Sequence, residues 1–212
     1  MNLSILINSC DKYEFIWNQF VKLFNKYWDY NINVPIYFLT EDKPISNTNF
    51  IPITNGKLDW TKSVQLALNQ INTKYILWLQ DDYFLRKTIY KDNLMDYLEF
   101  IQYYNVGRFG IHGDSNLYYL NKDSNSSYFR YRQNSLYTIS LQASIWNKEF
   151  FQSCLHADEE SPWQFEIDGT SRLNKTNHKI FVDLQYIPWY QEALKQGQYT
   201  KDYFDICKQE NI

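Results

Sequence analysis

Tyr75-Ile-Leu-Trp-Leu-Gln-Asp-Asp-Tyr-Phe-Leu85 decides how the rest of the chain is read, because an apolar run passes without a break into two adjacent acids. Residues 75–79 carry no charge and suit a strand buried on both faces of a mainly parallel sheet. In open sheets of that kind, ligands gather beyond the carboxyl ends of the strands, where Asp81 and Asp82 would stand. Two neighbouring carboxylates repel each other, so burial of either calls for a cation or a set of donors. Hard oxygen ligands at a sheet edge favour Mg²⁺ or Mn²⁺, with phosphate oxygens completing the shell. The plainer alternative is that the pair only caps the turn that follows.

Outward from this stretch the pattern alternates strands and helices. Residues 3–7 are a short apolar run, expected to be the first strand. Asp11-Lys-Tyr-Glu14 has the spacing of a capping box and should open a helix to about residue 30, with Ile16, Phe20, Phe24 and Tyr27 on one stripe. Residues 34–39 read as the next strand, ending in Thr40-Glu41-Asp42, and 49–53 as a short further one before the Asn55-Gly56 turn. Asp59 is placed to cap a helix whose apolar positions Val64, Ala67, Leu68 and Ile71 follow the helical period. Leu94, Leu98 and Ile101 mark a third helix, and 108–112 another strand. The polar stretch 113–127 reads as a loop, 128–132 and 137–141 as a hairpin, and 147–155 as a helix. Ser161-Pro-Trp-Gln164 has the N-cap, N1 proline and N3 glutamine of a further helix. Residues 179–184 are a last strand and 189–212 a helical tail. No repeat or linker divides the chain. Residues 1–212 are therefore expected to be one α/β domain, a mainly parallel central sheet flanked by helices. Its two parts would cover about 1–112 and about 113–212.

A length of 212 residues suffices for a full core, and a net charge of −3 gives no general attraction to nucleic acid or anionic lipid. Nucleic acid is therefore not an expected partner. The 19 tyrosines and 7 tryptophans exceed what a core needs, and such rings stack on the flat faces of sugars and nucleobases. A biased genome would give the same composition. Cys10, Cys154 and Cys207 show neither disulfide nor zinc spacing, as in a reducing compartment. Met1-Asn-Leu-Ser-Ile-Leu-Ile-Asn8 lacks a basic leader and no apolar run reaches transmembrane length. The expectation is a cytoplasmic protein, with a peripheral membrane contact through the aromatic tail as the weaker alternative.

In chain order, Ser9-Cys10-Asp11, Thr40-Glu41-Asp42, Asp59-Trp-Thr-Lys-Ser63, Gln80-Asp81-Asp82 and Trp163-Gln-Phe-Glu166 resemble the nucleotide-sugar glycosyltransferases of the GT-A fold. The resemblance is to the small domains of surface-polysaccharide synthesis in bacteria and large DNA viruses, and it spans nearly the whole chain. It implies a Rossmann-like GT-A domain, a UDP-, GDP- or dTDP-sugar donor, a glycan or lipid-linked glycan acceptor, and Mn²⁺ or Mg²⁺. It also implies that Ser9, Asp11, Glu41 and Asp42 hold the nucleoside. Carboxylates do accept hydrogen bonds from ribose hydroxyls or a base N–H. Asp11 as a helix cap, and Glu41-Asp42 as a plain turn, stay open. In the family's Asp-x-Asp motif the last acid binds the metal. Here Gln80 replaces the first acid, and Asp82 together with Asp81 takes the metal and diphosphate role. A cation there would stabilise the leaving nucleoside diphosphate. Lys62 and Arg86 would assist, and none of His112, His156 and His178 is claimed as a ligand.

The second pole is Ser161-Pro-Trp-Gln-Phe-Glu-Ile-Asp168. On a helix Trp163, Glu166, Ile167 and Thr170 share one face. A carboxylate among apolar neighbours is costly unless it has a task or a partner. Displacement at a sugar carbon needs a base for the acceptor hydroxyl, and partial burial raises a Glu pKa towards a useful range. The resemblance places the base of inverting enzymes at this helix start. Glu166 is the first choice, Asp168 the reserve, and a scaffold pairing of Glu166 with Arg172 or Lys175 the alternative. Trp163, Trp146 and residues 137–142, Gln142 among them, would line the acceptor side. Two other functions remain in view. A sugar-phosphate nucleotidyltransferase is disfavoured because no glycine-rich phosphate loop follows the first strand. A glycan-binding module without chemistry would use the aromatics alone.

Overall fold

Charge-free runs rich in Ile, Leu and aromatics form the strands Leu3–Asn8 (β1), Ile36–Thr40 (β2), Ile51–Thr54 (β3) and Tyr75–Gln80 (β4), with Glu14–Tyr27 (α1) and Trp60–Gln70 (α2) as crossovers. The computed structural model describes residues 1–111, 138–156, 159–173, 177–183 and 190–212, and the backbone of 120–122 and 128–131. The chain continues with Tyr83–Leu85 (β5), Lys91–Tyr104 (α3), Val106–Gly110 (β6), Leu120–Lys122 (β7), Tyr128–Tyr131 (β8), Ser144–Asn147 (β9) and Lys148–Cys154 (α4). Pro162–Arg172 (α5), Lys179–Asp183 (β10), Tyr190–Glu192 (β11), Leu194–Lys195 (β12), Gln198–Tyr199 (β13) and Lys201–Glu210 (α6) complete it.

The main sheet has the order β3-β2-β1-β4-β9-β6-β10-β8-β7. β9 and β8 run against their neighbours, and the other strands share one direction, so the sheet is mainly parallel as expected. Alternate residues of β4 enter different cores. Tyr75, Leu77 and Leu79 pack with the buried stripes of α1 and α3, while Ile76 and Trp78 pack with those of α2, α4 and α5. Each such side chain, fully buried, contributes roughly 1.5–3 kcal/mol relative to exposure. That two-sided burial is why β4 reads as an unbroken apolar run rather than an alternating one.

Several expected boundaries move. α1 follows a 3₁₀ turn at Asp11–Tyr13, has no side-chain cap, and stops at Tyr27, so Asp11 is not a helix cap. Residues 138–141 are not a strand, because the N–H groups of Ile139 and Leu141 go to side chains of α5 instead of a ladder. The sheet is instead completed by β9, between β4 and β6. The tail is not helical from its start. β11 pairs with β5, and the left-handed Gln196 and Gly197 (φ 52° and 77°) close the β12–β13 hairpin. The cap at Asp59 and the capping box of Ser161 and Gln164 form as read. His112, Tyr137 and most of 113–127 lie outside the described residues.

Candidate active site

The exits of β1, β2 and β4 lie side by side, since Asn8 pairs with both Leu39 and Gln80. β9 is reversed, with Ser144 opposite Trp78, so its entry, 138–143, reaches the same edge. α5 packs onto that entry. Thr170 Oγ1 accepts from Ile139 N–H at 3.4 Å and Glu166 Oε1 from Leu141 N–H at 2.7 Å. Gly169 permits the approach, because a Cβ there would stand 3.1 Å from Ile139 Cγ2. Between these edges is a cavity of about 460 Å³ lined by both Asp82 and Glu166.

The two acids ending β4 have different surroundings. Asp81 is buried, and its Oδ2 accepts from Ser9 Oγ at 2.5 Å and Trp17 Nε1 at 3.0 Å. Burial, and then the Asp82 charge, still push its carboxyl well above the usual range, against those two donors. Asp82 turns its C=O to the N–H groups of Ala193 and Leu194 at 2.7 and 3.1 Å. Its Oδ1 is sealed from solvent and has no hydrogen-bond partner. Burial, with a smaller contribution from Glu192, raises the Asp82 carboxyl to about 7. Behind the pair, Tyr190 Oη accepts from Gln80 N–H at 2.6 Å and donates to Gln80 C=O at 2.9 Å, which fixes the strand's last residue.

Of the other residues singled out from the sequence, Ser9, Glu41, Gln142 and Trp163 line the cavity. Glu41 Oε2 accepts from Asp11 N–H at 2.7 Å, and the Asp11 carboxylate accepts from the N–H groups of Asp42 and Lys43. Asp11 and Asp42 thus lace two turns together and stand outside the cavity lining. Lys62 is also outside it, on the exposed side of α2 where Asp59 caps its N–H. Arg86 faces elsewhere: its Nη2 donates to Gln209 Oε1 at 2.5 Å, and it lines a separate cavity of about 410 Å³ with Tyr27 and Tyr97. Asp168 is exposed beside Arg172, because α5 turns it to the face opposite the cleft. Of the two expected scaffold partners of Glu166, Arg172 instead holds the buried Glu160 at 2.5 Å, and Lys175 lies outside the described residues. Trp146 is core, and Trp163 is 66% exposed at the cavity rim.

Glu192, Tyr83, Tyr190, Lys12 and Lys195 were not legible as site residues. Glu192 and Lys195 fell in the expected helical tail. The signal that could have placed them is Gln196-Gly197 between two short polar-apolar alternations, a hairpin cue.

No protein-family model and no curated protein sequence matches the chain. In backbone shape the chain is similar to S. aureus TarS 1–349 in complex with UDP-GlcNAc, with a TM-score of 0.63 and 14% identity over 99% of this chain and 65% of that one. It is similar as well to GalNAc-T7 with UDP, GalNAc and Mn²⁺, with a TM-score of 0.62 and 10% identity over 97% of this chain and 47% of that one. The fold is GT-A. The chain spans less than two thirds of either structure's length, so the GT-A domain matches only part of each.

A divalent ion accompanies UDP in the GalNAc-T7 structure. Among the described residues no group of three or more His, Cys, Asp or Glu is gathered to hold a metal ion, and what favours a cation is the charge of the cleft. The cavity is lined by Glu41, Asp81, Asp82, Glu166 and Glu192 against Lys12 and Lys195. A nucleoside diphosphate entering so acidic a GT-A cleft would be repelled without added positive charge. Asp82 Oδ1, sealed and unpartnered, is the atom that lacks a counter-charge. Asp81 is already committed to Ser9 and Trp17. No helix among the described residues is long and apolar enough to cross a membrane.

Proposed function

We propose that the chain is a nucleotide-sugar glycosyltransferase, transferring a hexosyl group with inversion to a hydroxyl of a glycan or lipid-linked glycan in polysaccharide synthesis. The observation that carries this reading is that Asp82 and Glu166, far apart in sequence, line one cavity of about 460 Å³. That volume falls within the range of small-molecule sites. UDP-GlcNAc in TarS, and UDP with Mn²⁺ in GalNAc-T7, make a UDP-sugar the first donor to test.

In this reading the diphosphate lies at the Asp82 end, with Lys12 and Lys195 at its rim and Glu41 towards the nucleoside. Mn²⁺ or Mg²⁺, held by Asp82 with Glu192 nearby, would supply the positive charge that a departing diphosphate requires. Asp81 tethers the exit of β1 to that of β4 through Ser9. Glu166 takes the proton of the acceptor hydroxyl as its oxygen bonds to the anomeric carbon. The sugar–phosphate bond breaks at the same carbon, and its electron pair leaves with the nucleoside diphosphate. One Glu166 oxygen is occupied by Leu141 N–H, which aims the carboxylate without neutralising it. Trp163 offers an exposed face on which an acceptor ring can stack.

The test is release of nucleoside diphosphate from UDP-, GDP- and dTDP-sugars with Mn²⁺, with and without glycan acceptors. Turnover should disappear in Asp82→Ala and in Glu166→Gln, and activity retained in either variant removes that residue's role. Pyrophosphate release from a nucleoside triphosphate and a sugar phosphate would replace the reading with nucleotidyl transfer. Glycan binding without nucleotide binding would replace it with a recognition module.

A further inference from the structure

Gln142 stands between the two ends of the cavity. The residue before it gives its N–H to Glu166, and the Gln142 side chain reaches the other way, Nε2 donating to Tyr83 Oη at 3.0 Å beside Asp82. Its backbone is pinned on both sides. The N–H donates to Ser140 Oγ at 3.2 Å, and the C=O accepts from Ser144 Oγ at 2.6 Å.

The neighbours also set which way the amide faces. Tyr83 Oη has the Glu192 carboxylate as an acceptor at 3.4 Å, and a carboxylate offers no proton in return. The phenolic O–H therefore donates to Glu192 while its oxygen accepts from Gln142 Nε2–H, and the amide oxygen is turned away from Tyr83. Stacking of Tyr83 on Tyr190, ring centroids 4.9 Å apart and planes at 15°, holds the phenol in place. Gln142 Oε1 is left sealed from bulk water with no hydrogen-bond partner, on a residue that lines the cavity. A buried acceptor without a donor is rare and costly. Two hydrogen bonds fix the backbone of Gln142 and one, to Tyr83, its amide, so only a turn of the side chain is needed to bring Oε1 to the cavity. In a displacement, the body that must lie between departing group and base is the group being transferred.

We infer that Gln142 Oε1 accepts a hydrogen bond from a hydroxyl or amide N–H of the transferred sugar, so that Gln142, oriented by Tyr83 and Glu192, selects the donor by its sugar. This rests on the transferase reading and adds to it a specificity-determining residue. Gln142 is the contact and Tyr83 the positioning residue. A sugar that lacks the donor at the contacted position leaves the carbonyl unpaired, and sites of this kind reject such analogues strongly.

The experiment is calorimetry on the full chain with Mn²⁺, titrating UDP, GDP and dTDP and a panel of their sugars, including deoxy analogues. The quantity read is the ratio of the nucleoside diphosphate Kd to the nucleotide-sugar Kd. Gln142→Met keeps the length of the side chain and removes both polar atoms. It is expected to lower that ratio about fivefold to tenfold for the preferred sugar, with the nucleoside diphosphate Kd unchanged within about twofold. Tyr83→Phe keeps the stacked ring and frees the amide to flip, so the ratio should fall by about twofold to fivefold. A Gln142→Met ratio equal to wild type, or a wild type that gains nothing from the sugar, overturns the inference while leaving the transferase reading in place. If wild type binds no nucleotide or nucleotide sugar, both fall. If Gln142→Met also loses nucleoside diphosphate binding, the Tyr83→Phe ratio decides by the same criterion.

Discussion

The exit of β4 and the first turns of α5 each present a carboxylate to the same cavity, and they are built differently. Asp82 has an oxygen sealed from water with nothing to bond to, and burial raises its carboxyl to about 7. Beside it Asp81 has two donors and still remains strongly proton-binding, because it is fully buried next to another acid. Glu166 sits half-buried on a helix, with one oxygen fixed by a backbone N–H at 2.7 Å. The first pole lacks a positive charge, and the second has its orientation already set. In the proposed transferase, an unpartnered carboxylate oxygen leaves Asp82 room for a cation, whereas a Glu166 aimed by its hydrogen bond is placed to meet a mobile proton.

The sharpest way to break that division is to compare Glu166→Gln with Asp82→Asn. In Glu166→Gln the new amide oxygen would still accept from Leu141 N–H, so this change should lower kcat by about 10²–10⁴-fold and leave donor Kd within about twofold. Asp82→Asn should instead abolish the Mn²⁺ dependence of donor binding. Equal losses of kcat and donor affinity in Glu166→Gln, read by steady-state kinetics and calorimetry, would erase the distinction between the poles.

A smaller effect is expected behind the acid pair. Tyr190→Phe leaves the Gln80 N–H and C=O without their buried hydroxyl, and should cost about 1–3 kcal/mol in denaturant unfolding. An unchanged midpoint would mean that the strand end is held by other contacts.

The pH dependence of stability then sharpens the same contrast. Asp81 and Asp82 bind protons more tightly in the folded than in the unfolded chain, so their contribution to stability falls as pH rises. For Asp82 that loss runs from the ordinary Asp value near 4 up to about 7. The metal-free protein should therefore lose stability across this window, and Mn²⁺ should raise Tm more at pH 8 than at pH 5. Thermal melts showing the opposite order would contradict a sealed, cation-seeking Asp82. The smallest effect belongs to Asp168→Asn. Its side chain faces solvent beside Arg172, so kcat/KM should change by less than about twofold, and a larger loss would return Asp168 to the cleft.

By itself the sequence determined the parallel half of the sheet, the caps of α2 and α5, and the place of Asp81 and Asp82 just beyond the end of β4. Those features rest on local causes, an uncharged run buried on both faces and a side-chain cap. The expected inward stripe of Trp163, Glu166, Ile167 and Thr170 does not hold: Trp163 and Ile167 are exposed, α5 buries Phe165, Gly169 and Thr170, and Glu166 is half-buried at the cavity. Only the tertiary structure decided that Asp11 and Glu41 bind each other's turns, that Arg86 belongs to another cavity, and that Glu192 and Lys195 return to the acid pair. It also decided that 138–141 gives its N–H groups to α5 and that β9 enters the sheet reversed. The reason is that hydrogen-bond partners tens of residues apart are chosen by which groups remain unpaired once the core has closed, and no local pattern carries that information.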